Sequence, residues 1–174
     1  MSSNVVLIGM PGSGKSTVGT ALAKLLDMDF QDGDDVIRAV TGKPLSDIMD
    51  ERGPMGFLQL ENEILAGVPL ENMVFSPGGS SVYEDEAMRH LGENAVIVYL
   101  ETSQEEIAAR VGDLHERGVV LKNGIGMSLE ELFDEREPLY RQYADLIVNE
   151  EGIGVEEAAE KVACALQEYG KKER

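Results

Sequence analysis

The segment GMPGSGKS, residues 9–16, constrains this chain more than any other feature, because it matches the pattern G-x-x-x-x-G-K-[ST] at every fixed position. It follows a short apolar run at Val5–Ile8 and precedes an amphipathic segment at 17–26. A strand that runs into a glycine-rich turn and then a helix is the context in which this pattern binds phosphate groups. The sequence therefore predicts a site for a nucleoside triphosphate.

Each part of this turn has a physical task. Glycines let backbone N–H groups turn inward around a phosphate, where a side chain would clash. We expect Lys15 to reach the β- and γ-phosphates and the Ser16 hydroxyl to ligate Mg²⁺. The predicted nucleotide-binding residues are Gly12, Ser13, Gly14, Lys15, Ser16 and Thr17. Because GTPases, motors and small-molecule kinases share this turn, it does not identify a reaction.

Short apolar runs alternate with longer amphipathic segments along the chain. The runs lie at Val5–Ile8, 28–30, 73–75, 95–100 and 146–148, and the helical patterns at 17–26, 103–111, 128–143 and 155–169. Continuous apolar runs suit strands that are buried on both faces of a parallel sheet, so the alternation predicts a doubly wound α/β fold. A length of 174 residues suggests one domain, 1–174. Residues 112–127 show neither period and read as a long mobile loop.

The formal net charge of −18, from 33 acidic and 15 basic residues, limits the partners of this chain. Nucleic acids and anionic membranes are bound through Lys and Arg, so neither is an expected partner. No apolar stretch approaches the length of a transmembrane helix, and the N-terminal segment lacks the basic region of a secretory signal. Cys164 is the only cysteine, which excludes an intramolecular disulfide. We expect a cytoplasmic protein, and a monomer by default.

Two aspartates, Asp32 and Asp34, follow the weak apolar run at 28–30. The carboxyl end of a second strand in a doubly wound sheet lies beside the phosphate-binding turn. One carboxylate there can hold Mg²⁺ through water, and the other can accept a proton from an attacking hydroxyl group. The alternative interpretation is an aspartate-rich turn that caps the next helix. The glycine-rich turn just upstream favours the functional interpretation.

Four segments, in order and spacing, resemble the shikimate kinase family over about residues 5–166. They are GMPGSGKST with FQDGDD downstream, SPGGS at 76–80, YLETSQEEIAAR at 99–110, and REPLYRQYAD at 136–145. The resemblance implies a three-layer α/β/α P-loop kinase fold with a five-stranded parallel sheet in the order 2-3-1-4-5. It also implies ATP-dependent phosphorylation of a small-molecule hydroxyl group, in the first place the conversion of shikimate to shikimate 3-phosphate.

On the nucleotide side, the resemblance implies that ATP and Mg²⁺ are the cofactors. Asp32 would hold Mg²⁺ in its outer shell, beside Ser16. Arg110 would pack on the adenine, and Arg117 would reach the phosphates from a mobile lid at about 112–127. A planar guanidinium suits bidentate capture of a phosphate or carboxylate, which agrees with these roles.

On the acceptor side, the resemblance implies a substrate-binding helical segment at about 33–65. Asp34 would bind the substrate hydroxyls and act as base. Gly78 and Gly79 would offer backbone N–H groups, and Arg136 would clamp the substrate carboxylate. The catalytic residues implied are Lys15, Asp34 and Arg117.

Three positions depart from the family pattern. Leu58 stands where the family's F-R-x-x-E motif has arginine, Ser80 replaces the last residue of a glycine triplet, and Gly-Val-Val follows Arg117 in place of Pro-Leu-Leu. A charge-assisted hydrogen bond contributes about 1.5–3 kcal/mol, so the missing arginine should weaken a carboxylate by roughly ten- to a hundredfold. Arg38 and Arg52 are candidates to replace the lost charge.

Several alternatives stay open at the level of sequence. The segment DGD at 32–34, with GKPL at 42–45, is similar to gluconate kinases, so the acceptor could be another hydroxy acid, a polyol or an amino acid such as homoserine. A nucleotide-binding regulator without catalysis is a further reading, against which the retained Asp34 argues. Without the family, Arg136 is more simply a surface i,i+4 ion-pair partner. Pro138 is expected to end or bend its helix. Ser128 and Glu131 match a capping box at the start of that helix, and Tyr140 is expected in the core rather than at a cofactor.

Overall fold

The computed structural model describes residues 4–111 and 127–172. Within them, parallel strands form a five-stranded sheet in the order β2-β3-β1-β4-β5. The strands are β1 (Val5–Ile8), β2 (Asp29–Asp32), β3 (Met73–Ser76), β4 (Val96–Glu101) and β5 (Leu146–Asn149). The predicted α/β class and the predicted strand order 2-3-1-4-5 are therefore confirmed.

Helices cover both faces of this sheet. They are α1 (Lys15–Leu26), α2 (Gly33–Thr41), α3 (Leu45–Leu65), α4 (Asp85–Asn94), α5 (Gln104–Val111), α6 (Leu129–Tyr143) and α7 (Val155–Lys172), with a short 3-10 turn at Ser81–Tyr83. One apolar core joins α1 and α7 to one face of the sheet, and a second core joins α4, α5 and α6 to the other face. The result is the three-layer α/β/α arrangement.

Strand β1 shows why these apolar runs become central strands. All four of its residues are buried, and side chains alternate between the faces of a strand. Val5 and Leu7 enter the core beneath α1 and α7, whereas Val6 and Ile8 enter the opposite core. A strand buried on both faces needs apolar residues at every position, which explains the unbroken run in the sequence.

The predicted helical segment at 33–65 consists of α2 and α3. Gly53 interrupts α3 with a φ of 68°, a conformation that glycine adopts without strain, and Pro54 follows it. Proline suits the first turn of a helix, where its missing N–H is not needed, so the second half of α3 begins there. An apolar cluster of Ile37, Ile48, Phe57 and Leu58 joins α2 to both halves of α3.

Two expectations about α6 have different outcomes. The capping box is confirmed: Ser128 Oγ accepts from the Glu131 backbone N–H at 3.1 Å, and the Glu131 carboxylate accepts from the Ser128 backbone N–H at 2.7 Å. The expectation that Pro138 ends or bends the helix is wrong about its end, because α6 continues to Tyr143. Arg136 and Tyr140 on either side of Pro138 are both buried, so packing outweighs the lost backbone hydrogen bond.

Within residues 4–111 and 127–172, no helix is both long enough and apolar enough to cross a lipid bilayer.

The contact between α1 and β2 gives a test of this packing. A Cβ atom added at Gly19 would lie 2.5 Å from Phe30 Cε2 and 3.3 Å from Leu7 Cδ1. We expect Gly19→Ala to lower the free energy of unfolding by about 1–3 kcal/mol, as overpacking does, despite the helix propensity of alanine. Urea denaturation followed by circular dichroism measures this change.

The matched control is Gly92→Ala in α4, where an added Cβ would meet Ile97 Cδ1 at an ordinary 3.4 Å. This variant should leave stability unchanged or raise it by up to about 1 kcal/mol, because alanine favours a helix more than glycine does. Equal stability changes in the two variants would contradict the close approach of α1 to β2.

Candidate active site

The glycine-rich turn between β1 and α1 has the backbone conformation that its sequence predicts. Gly12 and Gly14 have φ values of 80° and 83°, in the left-handed region that other residues rarely adopt. A Cβ atom added at Gly12 would also collide with the Val111 side chain. Gly14 precedes the first residue of α1, so free N–H groups at the helix N-terminus face the space above the turn. The turn is therefore built for an anion.

Lys15 is folded back over this turn. Its Nζ donates to Gly9 O at 2.9 Å and to Met10 O at 2.8 Å. Burial, and then the positive charge of Arg136, lower the pKa of Lys15 to about 8, while Asp34 and Asp32 act in the opposite direction. Lys15 is only partly exposed, and an ammonium group whose charge is disfavoured gains most from an anionic ligand, so Lys15 suits a phosphate.

The two aspartates predicted after β2 have separate environments. Asp32 Oδ2 accepts from Ser16 Oγ at 2.6 Å, and Asp32 Oδ1 accepts from the Asp34 backbone N–H at 2.9 Å. Asp32 therefore caps α2, as the alternative interpretation of this pair predicted, and it also contacts the serine of the glycine-rich turn. Burial, followed by the charge of Asp32, raises the pKa of Asp34. A proton acceptor in the cleft with a raised pKa suits general-base work.

Arg136 is buried rather than at the surface. Its side chain is 1% exposed, Nε donates to Tyr83 Oη at 3.1 Å, and the guanidinium lies over the Tyr83 ring at 5.1 Å. The reading of Arg136 as a surface ion-pair partner is therefore wrong. The helix sequence concealed this burial, because the face of α6 that carries Leu132, Arg136 and Tyr140 turns towards the sheet and the Gly78–Gly79 turn.

The SPGGS turn lies directly against Arg136. Tyr140 Oη donates to Gly79 O at 2.8 Å, and a Cβ atom added at Gly79 would lie 3.0 Å from Arg136 Nη1. Glycine at this position lets the guanidinium approach the backbone closely. Tyr140, expected in the core, is fully buried and also fixes this turn.

One cleft at the carboxyl edge of the sheet joins these groups. It brings together Lys15 and Ser16 of the glycine-rich turn with the acidic pair, the Gly78–Gly79 turn and Arg136. Its lining consists of Pro11, Lys15, Ser16, Asp32, Asp34, Leu45, Phe57, Ser76, Pro77, Gly78, Gly79, Ser80 and Arg136.

A second cleft lies on the other side of the glycine-rich turn. It is bordered by Gly12, Ser13, Gly14, Thr17 and Arg110, together with the first turn of α7 and the residues before it. Arg110 Nη1 lies 3.3 Å from Gly12 O, so the predicted adenine-packing arginine borders the turn.

Glu150 is a residue of this second cleft that the sequence analysis missed. It is 3% exposed, accepts from Thr102 Oγ1 at 2.7 Å, and lies 3.4 Å from Arg110 Nη1. Glu106 also pairs with Arg110. Two carboxylates therefore hold the guanidinium at the edge of the turn. The available signal was the position of Glu150 at the carboxyl end of β5, where ligands bind in such sheets.

A buried carboxyl group, Glu61, was also missed. Its side chain is 2% exposed, and Ser80 Oγ lies 2.7 Å from Oε2 and 3.1 Å from Oε1. Burial raises the pKa of Glu61 to about 7, although the Ser80 hydrogen bond acts in the opposite direction. The signal in the sequence was the helical spacing of Phe57, Glu61 and Leu65, which puts the glutamate on an otherwise apolar face of α3.

The structure shows where Leu58, which stands in place of the family's arginine, and the two candidate replacements Arg38 and Arg52 lie. Leu58 packs in the apolar cluster of α2 and α3 and is not part of the cleft lining. Arg38 is exposed and pairs with Asp35 at 2.6 Å, and Arg52 is exposed on α3. Neither arginine lines the cleft, so neither replaces the lost charge there. Arg117 and the predicted lid at 112–127, apart from its last residue, lie outside the described residues.

Comparison with known proteins gives one consistent result. A family model described as shikimate kinase matches residues 11–167. The shikimate kinase of Francisella tularensis subsp. novicida is 36% identical over 167 residues, covering 95% of each chain.

Solved structures agree. The shikimate kinase from Acinetobacter baumannii in complex with shikimate has a TM-score of 0.82 and 26% identity, over 95% of this chain and 93% of that chain. The shikimate kinase from Aquifex aeolicus has a TM-score of 0.77 and 28% identity, over 96% and 98%. The resemblance carried by four short segments thus extends over the sequence and the fold, and this chain belongs to the shikimate kinase family.

Proposed function

We propose that this protein transfers the γ-phosphoryl group of ATP to a hydroxyl group of shikimate, giving shikimate 3-phosphate. The observation that carries the proposal is that one cleft holds Lys15, Asp34 and Arg136, a phosphate-binding cation, a base and a carboxylate-binding guanidinium. The relatives named shikimate kinase, and the A. baumannii structure that contains shikimate, support the choice of acceptor.

The nucleotide is bound by the turn at 12–17 and by Lys15. The left-handed glycines and the start of α1 offer N–H groups to the phosphates, and Arg110 packs on the adenine in the second cleft. Arg117 remains the residue predicted to reach the phosphates from the lid. In phosphoryl transfer the protein chiefly positions the groups and stabilises their charge, which such backbone and cationic contacts provide.

Ser16 and Asp32 are the residues that would hold Mg²⁺. Their side-chain oxygens are 2.6 Å apart, and both are the hard oxygen ligands that Mg²⁺ prefers. Mg²⁺ usually keeps several waters and takes one or two protein ligands, so a site of two side chains is in keeping with its chemistry. When bound, the ion neutralises charge on the phosphate oxygens.

The acceptor occupies the part of the cleft between α2, α3 and α6. Arg136 binds its carboxylate, while Asp34 accepts the proton of the attacking hydroxyl group. The N–H groups of Gly78 and Gly79 face the acceptor or the γ-phosphate. The helical segment at 33–65 then serves as the acceptor side of one kinase domain that comprises the whole chain, 1–174.

Other acceptors are outcomes of the first experiment. Purified protein with ATP and Mg²⁺ should show saturable turnover of shikimate in a coupled assay, with gluconate, homoserine, threonine and quinate tested in parallel. Because Arg136 is the one arginine that lines the described cleft, the KM for shikimate should respond strongly to that residue. Preferred turnover of gluconate or homoserine would contradict shikimate as the acceptor. Tight ATP binding without turnover of any compound would favour a regulator.

Asp34→Asn tests the base. The substitution keeps the shape of the side chain but removes its proton affinity, so kcat should fall by about 10²–10⁴, the usual contribution of a general base. ATP binding, measured by calorimetry, should change little. The matched control is Asp35→Asn, because Asp35 is exposed and pairs with Arg38 outside the cleft. Unchanged kcat in Asp34→Asn would refute the assigned role.

Arg136→Lys tests carboxylate binding. Lysine keeps the positive charge but lacks the planar fork, so the KM for shikimate should rise roughly ten- to a hundredfold, while the KM for ATP should change far less. Arg141→Lys on the same helix is the control, since Arg141 is half-exposed and pairs with Glu101 and Glu137. Circular dichroism of both variants checks folding. Similar KM values for shikimate in both variants would contradict the role of Arg136.

A further inference from the structure

Two departures from the family pattern meet at one buried carboxyl group. Leu58 and Glu61 lie three residues apart on α3, so their side chains share one face of the helix. Ser80 approaches that face from the turn after β3, with its hydroxyl bonded to both carboxyl oxygens of Glu61. Ser80 therefore contacts Glu61 directly, and Leu58 lies one helical turn from it on the same helix.

Leucine at position 58 leaves Glu61 without a guanidinium one helical turn away. Within residues 4–111 and 127–172, the hydrogen-bond partner of the Glu61 carboxyl is the Ser80 hydroxyl. A hydroxyl group satisfies a carboxyl oxygen but supplies no compensating charge, and an ionised carboxylate is costly to bury without one. The neutral form of Glu61 is thereby favoured, in line with a pKa raised to about 7.

Glu61 lies directly behind the acceptor part of the cleft. A Cβ atom added at Gly78 would lie 3.4 Å from Asp34 Oδ1 and 3.6 Å from Glu61 Oε1. The two carboxyl groups therefore flank the backbone of Gly78, which lines the cleft. Because Gly78 has no side chain, nothing at this position separates the two carboxyl groups from the cleft. Ser80 lines the cleft as well, so the hydroxyl that binds Glu61 belongs to the same wall.

The charges around Glu61 come from each element packed on it. Asp34 on α2 and Glu84, just before α4, disfavour its ionised form, and Arg136 on α6 favours it. The phenol of Tyr140, also on α6, faces it as well. Arg136 is the group assigned to the acceptor carboxylate, so the ionised form of Glu61 and a bound carboxylate compete for one guanidinium.

We propose that Glu61 is a specificity-determining residue of the acceptor cleft and that Ser80 is its positioning partner, so that this wall presents a carboxyl group whose charge opposes the carboxylate of the acceptor. The inference rests on the proposed function, because it takes shikimate, bound through Arg136, as the acceptor. In its neutral form Glu61 leaves Arg136 to the acceptor, and in its ionised form it weakens acceptor binding.

The test is the KM for shikimate between pH 6 and pH 8.5 at saturating ATP. In the unmodified protein this KM should rise about three- to tenfold across that range, as expected for one nearby charge at an intermediate effective dielectric constant. Glu61→Gln keeps the neutral shape at every pH and should remove this rise. A profile in Glu61→Gln identical to that of the unmodified protein would overturn the inference.

Ser80→Ala separates the positioning role from a general loss of packing. The Ser80 hydrogen bond stabilises the ionised form of Glu61, so its loss should raise the pKa of Glu61 and move the rise in KM to higher pH. Ser81→Ala is the matched control, because Ser81 Oγ is buried with no hydrogen-bond partner among the described residues. Equal profiles for the two alanine variants would contradict the role of Ser80.

Thermal unfolding without ligand distinguishes failure of this inference from failure of the proposed function. The folded protein holds the Glu61 proton up to about pH 7, whereas an unperturbed glutamate releases it near 4.5. The contribution of Glu61 to the free energy of unfolding therefore falls as the pH rises between these two values. Glu61→Gln has no such proton to lose, so the difference between its Tm and that of the unmodified protein should grow over this interval and then level off.

If the protein does not turn over shikimate, the proposed function is overturned. The assignment of Glu61 to a shikimate site then fails with it, even where this Tm pattern appears. Normal shikimate turnover without a KM effect in Glu61→Gln would overturn the inference alone.

Discussion

The placement of two cations in one cleft is the constraint on which the rest of this site depends. Arg136 is buried and Lys15 is only partly exposed, and Arg136 lowers the pKa of Lys15 because like charges repel. Such an arrangement persists only if neighbouring groups compensate the charge or satisfy its hydrogen bonds. Asp32 and Asp34 compensate the charge of Lys15, whereas the phenol of Tyr83 gives Arg136 a hydrogen-bond acceptor and a ring face. Anionic ligands complete the compensation, which is how the cleft favours a phosphate and a carboxylate.

The negative net charge of the chain determines how anionic ligands can be recognised. The chain has 33 acidic and 15 basic residues, so its net field repels anions at long range. Recognition of an anionic nucleotide and an anionic acceptor must therefore be local, through buried groups whose fields are little screened. The carboxylates Glu106 and Glu150 serve the same end in the second cleft, since they hold Arg110 against the glycine-rich turn rather than leave it at the surface.

Local patterns predicted the strands, the P-loop and the capping box at Ser128, because each of these is determined by residues close together in the chain. The burial of Arg136 could not be read in this way. It depends on Tyr83, which is 53 residues away, and on the Gly78–Gly79 turn on a different element. Two hydrogen-bonded pairs could not be predicted from local patterns for the same reason. They are Glu61 with Ser80, 19 residues apart, and Thr102 with Glu150, 48 residues apart. At Pro138 a local pattern gave the wrong expectation, because the helix continues past a residue whose propensity would end it. The buried side chains on either side of Pro138 stabilise the helix there.

The two halves of the site differ in how they can change during evolution. In the proposed function the phosphates are met mainly by backbone N–H groups of glycines in left-handed conformations, and a substitution there strains the chain or, at Gly12, collides with Val111. In the same proposal the acceptor is met by side chains on α2, α3 and α6, where a substitution changes chemistry without changing the backbone. Leucine can occupy position 58 because it packs with Ile37, Ile48 and Phe57, and serine can occupy position 80 because a buried carboxyl group needs its hydroxyl. Two of the three departures from the family pattern, Leu58 and Ser80, therefore lie on elements of the acceptor side.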